Sequence, residues 1–261
     1  MGKKSVRDSL GDRMKSYENI TRNYLTRRMP VVIRLDGVCF HTFTKGFKKP
    51  FDEILWKTMQ DTTMALCKDV QNCVIGYTQS DEITLVLVDY YKLNTDVWFG
   101  NNIQKIASVV ASKCSVYFNK FLLDNIYKYI NTNNCDYEYY LSLKTKIGRA
   151  IFDARVFNIP REEVTNCILW RQQDCIKNSI TAIAQNLFSH NELDGKKQFE
   201  RIEMINQKAK ECNMKEYEDY KDMYRFGTFI IKNKLGEWKR NDNLLVNVNR
   251  YLFDDLFLPR N

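Results

Sequence analysis

The stretch CVIGYTQSDEITLVLV, residues 73 to 88, sets an apolar run on either side of a polar knot that closes on two adjacent acids. Apolar and β-branched runs bounded by turn residues mark buried strands. The pattern therefore predicts strands over 73–77 and 83–88, with Ser80, Asp81 and Glu82 in the bend of an antiparallel hairpin. Upstream, MPVVIRLDG predicts a short buried strand over 31–35 that stops at Asp36-Gly37. Between Phe51 and Val70, the residues Ile54, Leu55, Thr58, Met59, Thr62 and Leu66 recur at helical spacing behind Pro50, which suits a helix start. Ile103, Ile106, Val110, Cys114, Phe118 and Leu122 do the same within 101–126, and AIFDARVFNIP predicts a fourth strand closed by Pro160.

The order strand, helix, strand, strand, helix, strand is that of the split βαβ, or ferredoxin-like, arrangement: an α+β fold with an antiparallel sheet and helices on one face. In that topology the first strand and the hairpin are neighbours, so Asp36 at the end of the strand can meet Asp81 at the bend. Residues 1–160 read as this core. Residues 161–261 read as a helical and hairpin extension packed on it, not an independent domain, with helices over 167–188 and 195–211 and a late hairpin in YRFGTFIIKNKLGEWKR. The polar and aromatic stretch 129–140 reads as a surface insertion.

Composition narrows the function classes. With 44% hydrophobic and 28% charged residues, the chain has the make-up of a folded globular protein and not of a disordered one. A net charge of +8 suits a polyanionic partner, although no block of like charges stands out, so any nucleic-acid surface must be assembled by folding. The eight cysteines form no CxxC pair, and the two histidines, His41 and His190, join no metal-ligand cluster; a reducing compartment fits and a zinc site does not. The N-terminal residues lack the apolar segment of a secretory signal, and no run approaches the length of a membrane span. The expected location is the cytoplasm, with an organelle such as the mitochondrion left open.

Two carboxylates held a few Å apart repel one another unless cations occupy the gap. Hard oxygen donors without histidine or thiolate suit Mg²⁺, and two such ions clamp an attacking and a leaving oxygen in phosphoryl transfer. Taken singly, Asp36-Gly37 is a tight turn and Asp81-Glu82 a solvated bend; the topology tips the pair toward metal. In DGVCFHTF, backbone N–H groups after Gly37 can approach a triphosphate, with Phe40 and His41 beside the base or ribose, or Phe40 can belong to the core. Lys45, Lys48 and Lys49 can contact phosphates or simply be solvated.

RLDGVCFHTFTKGFKKPFDE, IGYTQSDEITLVL, FDARVFNIP, WRQQDCIKNSI and MYRFGTFI, in this order over roughly residues 11–231, closely resemble the tRNA-histidine guanylyltransferase family. The resemblance implies a polymerase-like palm that adds nucleotides to the 5′ end of tRNA, in the 3′-5′ direction, after activation by ATP or GTP. Asp36, the Gly37 carbonyl and Asp81 would then hold two Mg²⁺, with Glu82 assisting. Asp36, Gly37, Val38, Cys39, Phe40, His41, Ser80 and Asp81, joined by Lys45, would bind the nucleoside triphosphate, and the assembly would be a homotetramer.

Family members that act on histidine tRNA carry His-Ile-Asn-Asn-Leu-Tyr-Asn after the Trp-Arg-Gln element. This chain has Ile176, Lys177, Asn178, Ser179, Ile180, Thr181 and Ala182 there. That departure resembles the guanylyltransferase-like branch, which repairs 5′-truncated tRNA by template-dependent addition. Arg34, Arg155, Arg171, Lys177 and Asn178 are candidate contacts for the RNA or its 5′ end, while Trp170, Ile176, Ile180 and Ile183 are expected in the core. The competing readings are non-templated guanosine addition to histidine tRNA, a catalytically silent tRNA-binding module, and a nucleotide cyclase, against which the resemblance beyond the palm argues.

Overall fold

Strand β1 (Val31–Gly37) divides its side chains between two apolar layers: Val31, Ile33 and Leu35 enter one and Val32 the other. This is the period-2 consequence of a strand covered on both sides. The computed structural model describes residues 9–132 and 135–257. In it β1 lies between β3 (Glu82–Leu87) and β4 (Phe152–Asn158); β2 (Cys73–Gln79), β5 (Thr228–Lys232) and β6 (Trp238–Asn241) complete an antiparallel sheet of order β4-β1-β3-β2-β5-β6. The late hairpin thus extends the sheet rather than standing apart from it.

The helices are α1 (Ser9–Asn19), α2 (Phe40–Phe43), α3 (Glu53–Asp69), α4 (Ile103–Ile130), α5 (Tyr137–Lys144), α6 (Val164–Leu187), α7 (His190–Leu193), α8 (Gln198–Cys212), α9 (Asp222–Phe226) and α10 (Arg250–Phe257). The order β1-α3-β2-β3-α4-β4 is the expected split βαβ, and α3 and α4 share one sheet face. They contribute Met59, Leu66, Ile106, Val110 and Phe118 to the layer that holds Ile33 and Leu35. Gly76 of β2 lets α3 come close, because a side chain there would run into Cys67 and Thr63. The opposite face is covered by α6 and α10 through Ile168, Phe253 and Phe257, packed on Ile75, Tyr77, Val86 and Phe229.

That second cover is partial. On edge strand β4 the residues facing the α6 side begin with Asp153 and Arg155, both exposed. An open shelf therefore runs beside β1 on the α6 face. Helix α3 starts after Asp52, whose side chain accepts from the Leu55 N–H at 3.0 Å, so an N-cap and not Pro50 sets the boundary. Helix α5, capped by Asp136 in the same way, starts inside the 129–140 stretch and runs past it to Lys144. Among the described residues no helix is long and apolar enough to cross a membrane.

Candidate active site

The last side chains of β1 on the α6 face are Arg34 and Asp36. Register places Asp36 opposite Glu82 on β3 and Asp153 on β4, and Arg34 opposite Thr84 and Arg155. The β2–β3 hairpin closes through two residues, Ser80 and Asp81, with Ser80 held in the left-handed region at φ 49°, a conformation sparsely used by non-glycine residues. Its hydroxyl donates to Asp81 Oδ1 at 3.0 Å. Burial pushes the Asp81 carboxyl above the usual carboxylate range; the Ser80 hydroxyl opposes this, and the Asp36 charge adds to it. The first strand and the hairpin bend therefore bring Asp36 and Asp81 within electrostatic reach of one another, as the sequence pattern predicts.

Glu82 has a different environment. It is 8% exposed, and Arg171 of α6 donates to its Oε2 from Nη1 at 2.9 Å, with Arg34 Nε at 3.9 Å. Burial raises its carboxyl while Arg171 and Arg34 draw it back down. Asp36 and Asp81 take part in no ion pair among the described residues. The site thus holds two carboxylates without a cation and one that two arginines already match.

Oxygen donors in excess of positive charge fit a divalent metal. No group of three or more His, Cys, Asp or Glu side chains placed to hold a metal occurs among the described residues. A cation here would draw on two carboxylates and complete its shell with a carbonyl, water and substrate phosphate, the habit of Mg²⁺. Beside them Gln79 Oε1 is buried without a hydrogen-bond partner, an acceptor left for a ligand or its water.

A cavity of about 360 Å³ opens next to the bend. His41, Phe40, Gln79, Ser80 and Asp81 line one side, Lys48, Lys49, Asp52 and Trp56 another, and Cys175, Asn178, Ser179 and Tyr224 the third. Phe40 is fixed by ring contacts with Phe43, Phe118 and Phe152 at 4.8–5.5 Å. Its ring occupies the space that a side chain on Gly37 would fill, which is why glycine follows Asp36. Cys39, at φ 54°, turns the chain into α2. The Asp52 carboxylate accepts from Lys48 N at 2.9 Å and from the Tyr139 hydroxyl, tying the wall loop to the insertion. Burial lifts the Tyr224 hydroxyl and the Cys175 thiol, each to about 12.

Several expected site residues lie elsewhere. Val38 and Cys39 are exposed and Lys45 points to solvent; none of the three lines the cavity, nor do Asp36 and Gly37, and Lys48 and Lys49 stand in its wall instead. Arg171, expected to face RNA, is 6% exposed and turned onto Glu82. Trp170, expected in the core, is 52% exposed. Lys177 and Asn178 are exposed, and only Asn178 reaches the cavity. Gln79, Ser179 and Tyr224 are not among the expected site residues, although each sits inside a quoted element: IGYTQSDEITLVL, WRQQDCIKNSI and MYRFGTFI respectively.

The family model for tRNAHis guanylyltransferase matches residues 11–160, more than half the chain. A bacterial tRNAHis guanylyltransferase-like protein in complex with ATP superposes with a TM-score of 0.83 at 35% identity, covering 96% of this chain and all of its own. One in complex with GTP gives 0.75 at 33% identity, covering 96% of this chain and 100% of its own. Among curated relatives, an uncharacterized protein of Acanthamoeba polyphaga mimivirus is 31% identical over 70% of this chain and 64% of its own length. A probable tRNAHis guanylyltransferase of Homo sapiens is 28% identical over 79% of this chain and 66% of its own length. The chain therefore spans just under two thirds of the length of these two relatives.

Proposed function

This chain belongs to the tRNAHis guanylyltransferase family, and on that premise we propose that it is a nucleotidyltransferase that adds nucleotides, in the 3′-5′ direction and against a template, to the 5′ end of truncated tRNA. The observation that carries the reading is the pair of uncompensated carboxylates, Asp81 in the wall of a cavity of about 360 Å³ and Asp36 within electrostatic reach of it. ATP and GTP in the similar bacterial proteins support a nucleoside triphosphate as its occupant. The departure over 176–182 supports repair of truncated tRNA over guanosine addition to histidine tRNA.

Asp36, Asp81 and the Gly37 carbonyl would hold two Mg²⁺. When bound, the ions supply charge neutralisation at the attacking and leaving oxygens. Phe40 and His41 flank the nucleotide, Ser80 orients Asp81, and Lys48 and Lys49 meet phosphate at the cavity wall. Glu82 acts at one remove, fixing Arg34 and Arg171 so that the acidic pair keeps its place. A homotetramer, a cytoplasmic location and 5′-end activation by ATP or GTP come with the same reading; light scattering of the pure protein checks the first.

The test is to incubate the protein with Mg²⁺, labelled nucleoside triphosphates and a 5′-phosphorylated truncated tRNA, then to sequence the extended 5′ ends. Incorporation should be abolished by EDTA, and the added nucleotide should follow a change in the opposing base. Guanosine added regardless of that base would support the histidine-tRNA activity instead. RNA binding without chelator-sensitive incorporation would leave a tRNA-binding module.

A further inference from the structure

Trp170 has no role in the scheme above, and its placement is unlike that of a core residue. It stands on α6 beside the open shelf, 52% exposed, with the Arg171 guanidinium 3.4 Å from its ring centroid and that of Arg34 5.8 Å away. Arg171 is itself anchored on Glu82 at 2.9 Å, so the indole is held against a fixed neighbour. The ring is thereby placed beside Arg34, two residues before Asp36 on β1.

The shelf is cationic at this point. Arg34 and Arg155 are register partners on adjacent strands and face the same side, an arrangement in which like charges repel. Arg155 is exposed and forms no ion pair among the described residues, and Arg34 Nε is buried without a hydrogen-bond partner. Glu82 offsets Arg34 only at 3.9 Å and is already shared with Arg171. The nearest exposed acid on β4, Asp153, lies opposite Asp36, two residues away or about 7 Å along the strand. An aromatic face next to two under-matched guanidiniums is the combination that takes a base and its phosphate.

We propose that Trp170 is the stacking platform for the base of the RNA's 5′-terminal nucleotide, with Arg34 and Arg155 gripping its phosphate. This rests on the reading of the site as one that extends an RNA 5′ end. Stacking tolerates any base, as an enzyme requires when each addition changes the terminal nucleotide.

The experiment measures RNA affinity and not turnover, so its failure is distinct from failure of the nucleotide-addition reading. Wild type, Trp170→Ala and Trp170→Phe are titrated with a 5′-phosphorylated truncated tRNA and with the same RNA carrying an abasic 5′-terminal nucleotide. Wild type should bind the intact RNA about 5-fold or more tightly than the abasic one. Trp170→Ala should lose the same factor on intact RNA and be indifferent to the missing base, and Trp170→Phe should restore both the affinity and the discrimination. ATP affinity without RNA should stay unchanged throughout. Equal binding of the two RNAs by wild type overturns the proposal without recourse to any variant. A loss in Trp170→Ala of equal size on both RNAs, or one shared with ATP, overturns it as well.

Discussion

Asp81 shows how the fold concentrates unfavourable charge on single residues. Burial and the neighbouring Asp36 raise its carboxyl above the usual range, so the folded chain holds that proton more tightly than the unfolded one. With the folded value raised, stability is greatest where both states are protonated and falls as pH climbs through the ordinary carboxylate range into the raised one. Asp81→Asn should therefore raise Tm at neutral pH in the presence of chelator, with a gain that vanishes in acid and narrows when Mg²⁺ is supplied to the wild type. Thermal melts across that pH range check it; an unchanged or lowered Tm at neutral pH would count against the charge assignment. Asp36 and Asp81 were legible in the sequence because a strand end and a hairpin bend fix their positions from local pattern alone. The distinct environment of Glu82 was not, because it depends on Arg171, 89 residues away along the chain.

At the scale of elements, the Arg171–Glu82 pair ties α6 to β3 across the sheet face opposite α3 and α4. Both partners are buried, so removing the arginine strands a carboxylate in a dry environment. Arg171→Met should cost about 3–5 kcal/mol in urea unfolding, and adding Glu82→Gln in the same chain should recover most of it. A loss within the range of surface substitutions would show that the pair is solvent-relaxed. The palm strands and the two long helices were readable from period-2 and period-3.6 patterns, since each buries a continuous stripe. Helix α1 was not, because it contributes no buried residue, nor was α10, whose eight residues, with Asp254-Asp255 between two short apolar groups, are too few to separate helix from strand. The sequence pattern places Trp170 in the core, because helical spacing cannot tell a buried stripe from one whose edge overlooks an uncovered strand.

Across the whole molecule, a split βαβ sheet sets Asp36 and Asp81 at one end, and the C-terminal extension completes with α6 and α9 a cavity that Asp81 lines. The order of elements made the convergence of the acids foreseeable. The cavity was not, because its third wall comes from residues 175–182 and 224, remote in sequence from the palm. The central claim is that the two acids act together on a metal-bound nucleotide at an RNA end. Single-turnover addition to truncated tRNA by Asp36→Ala and Asp81→Ala, alongside tRNA affinity, tests it most directly. Each variant should lose at least about 100-fold in rate while binding tRNA within about threefold of wild type, since relief of repulsion leaves the fold intact. Wild-type rates in either variant would contradict the account.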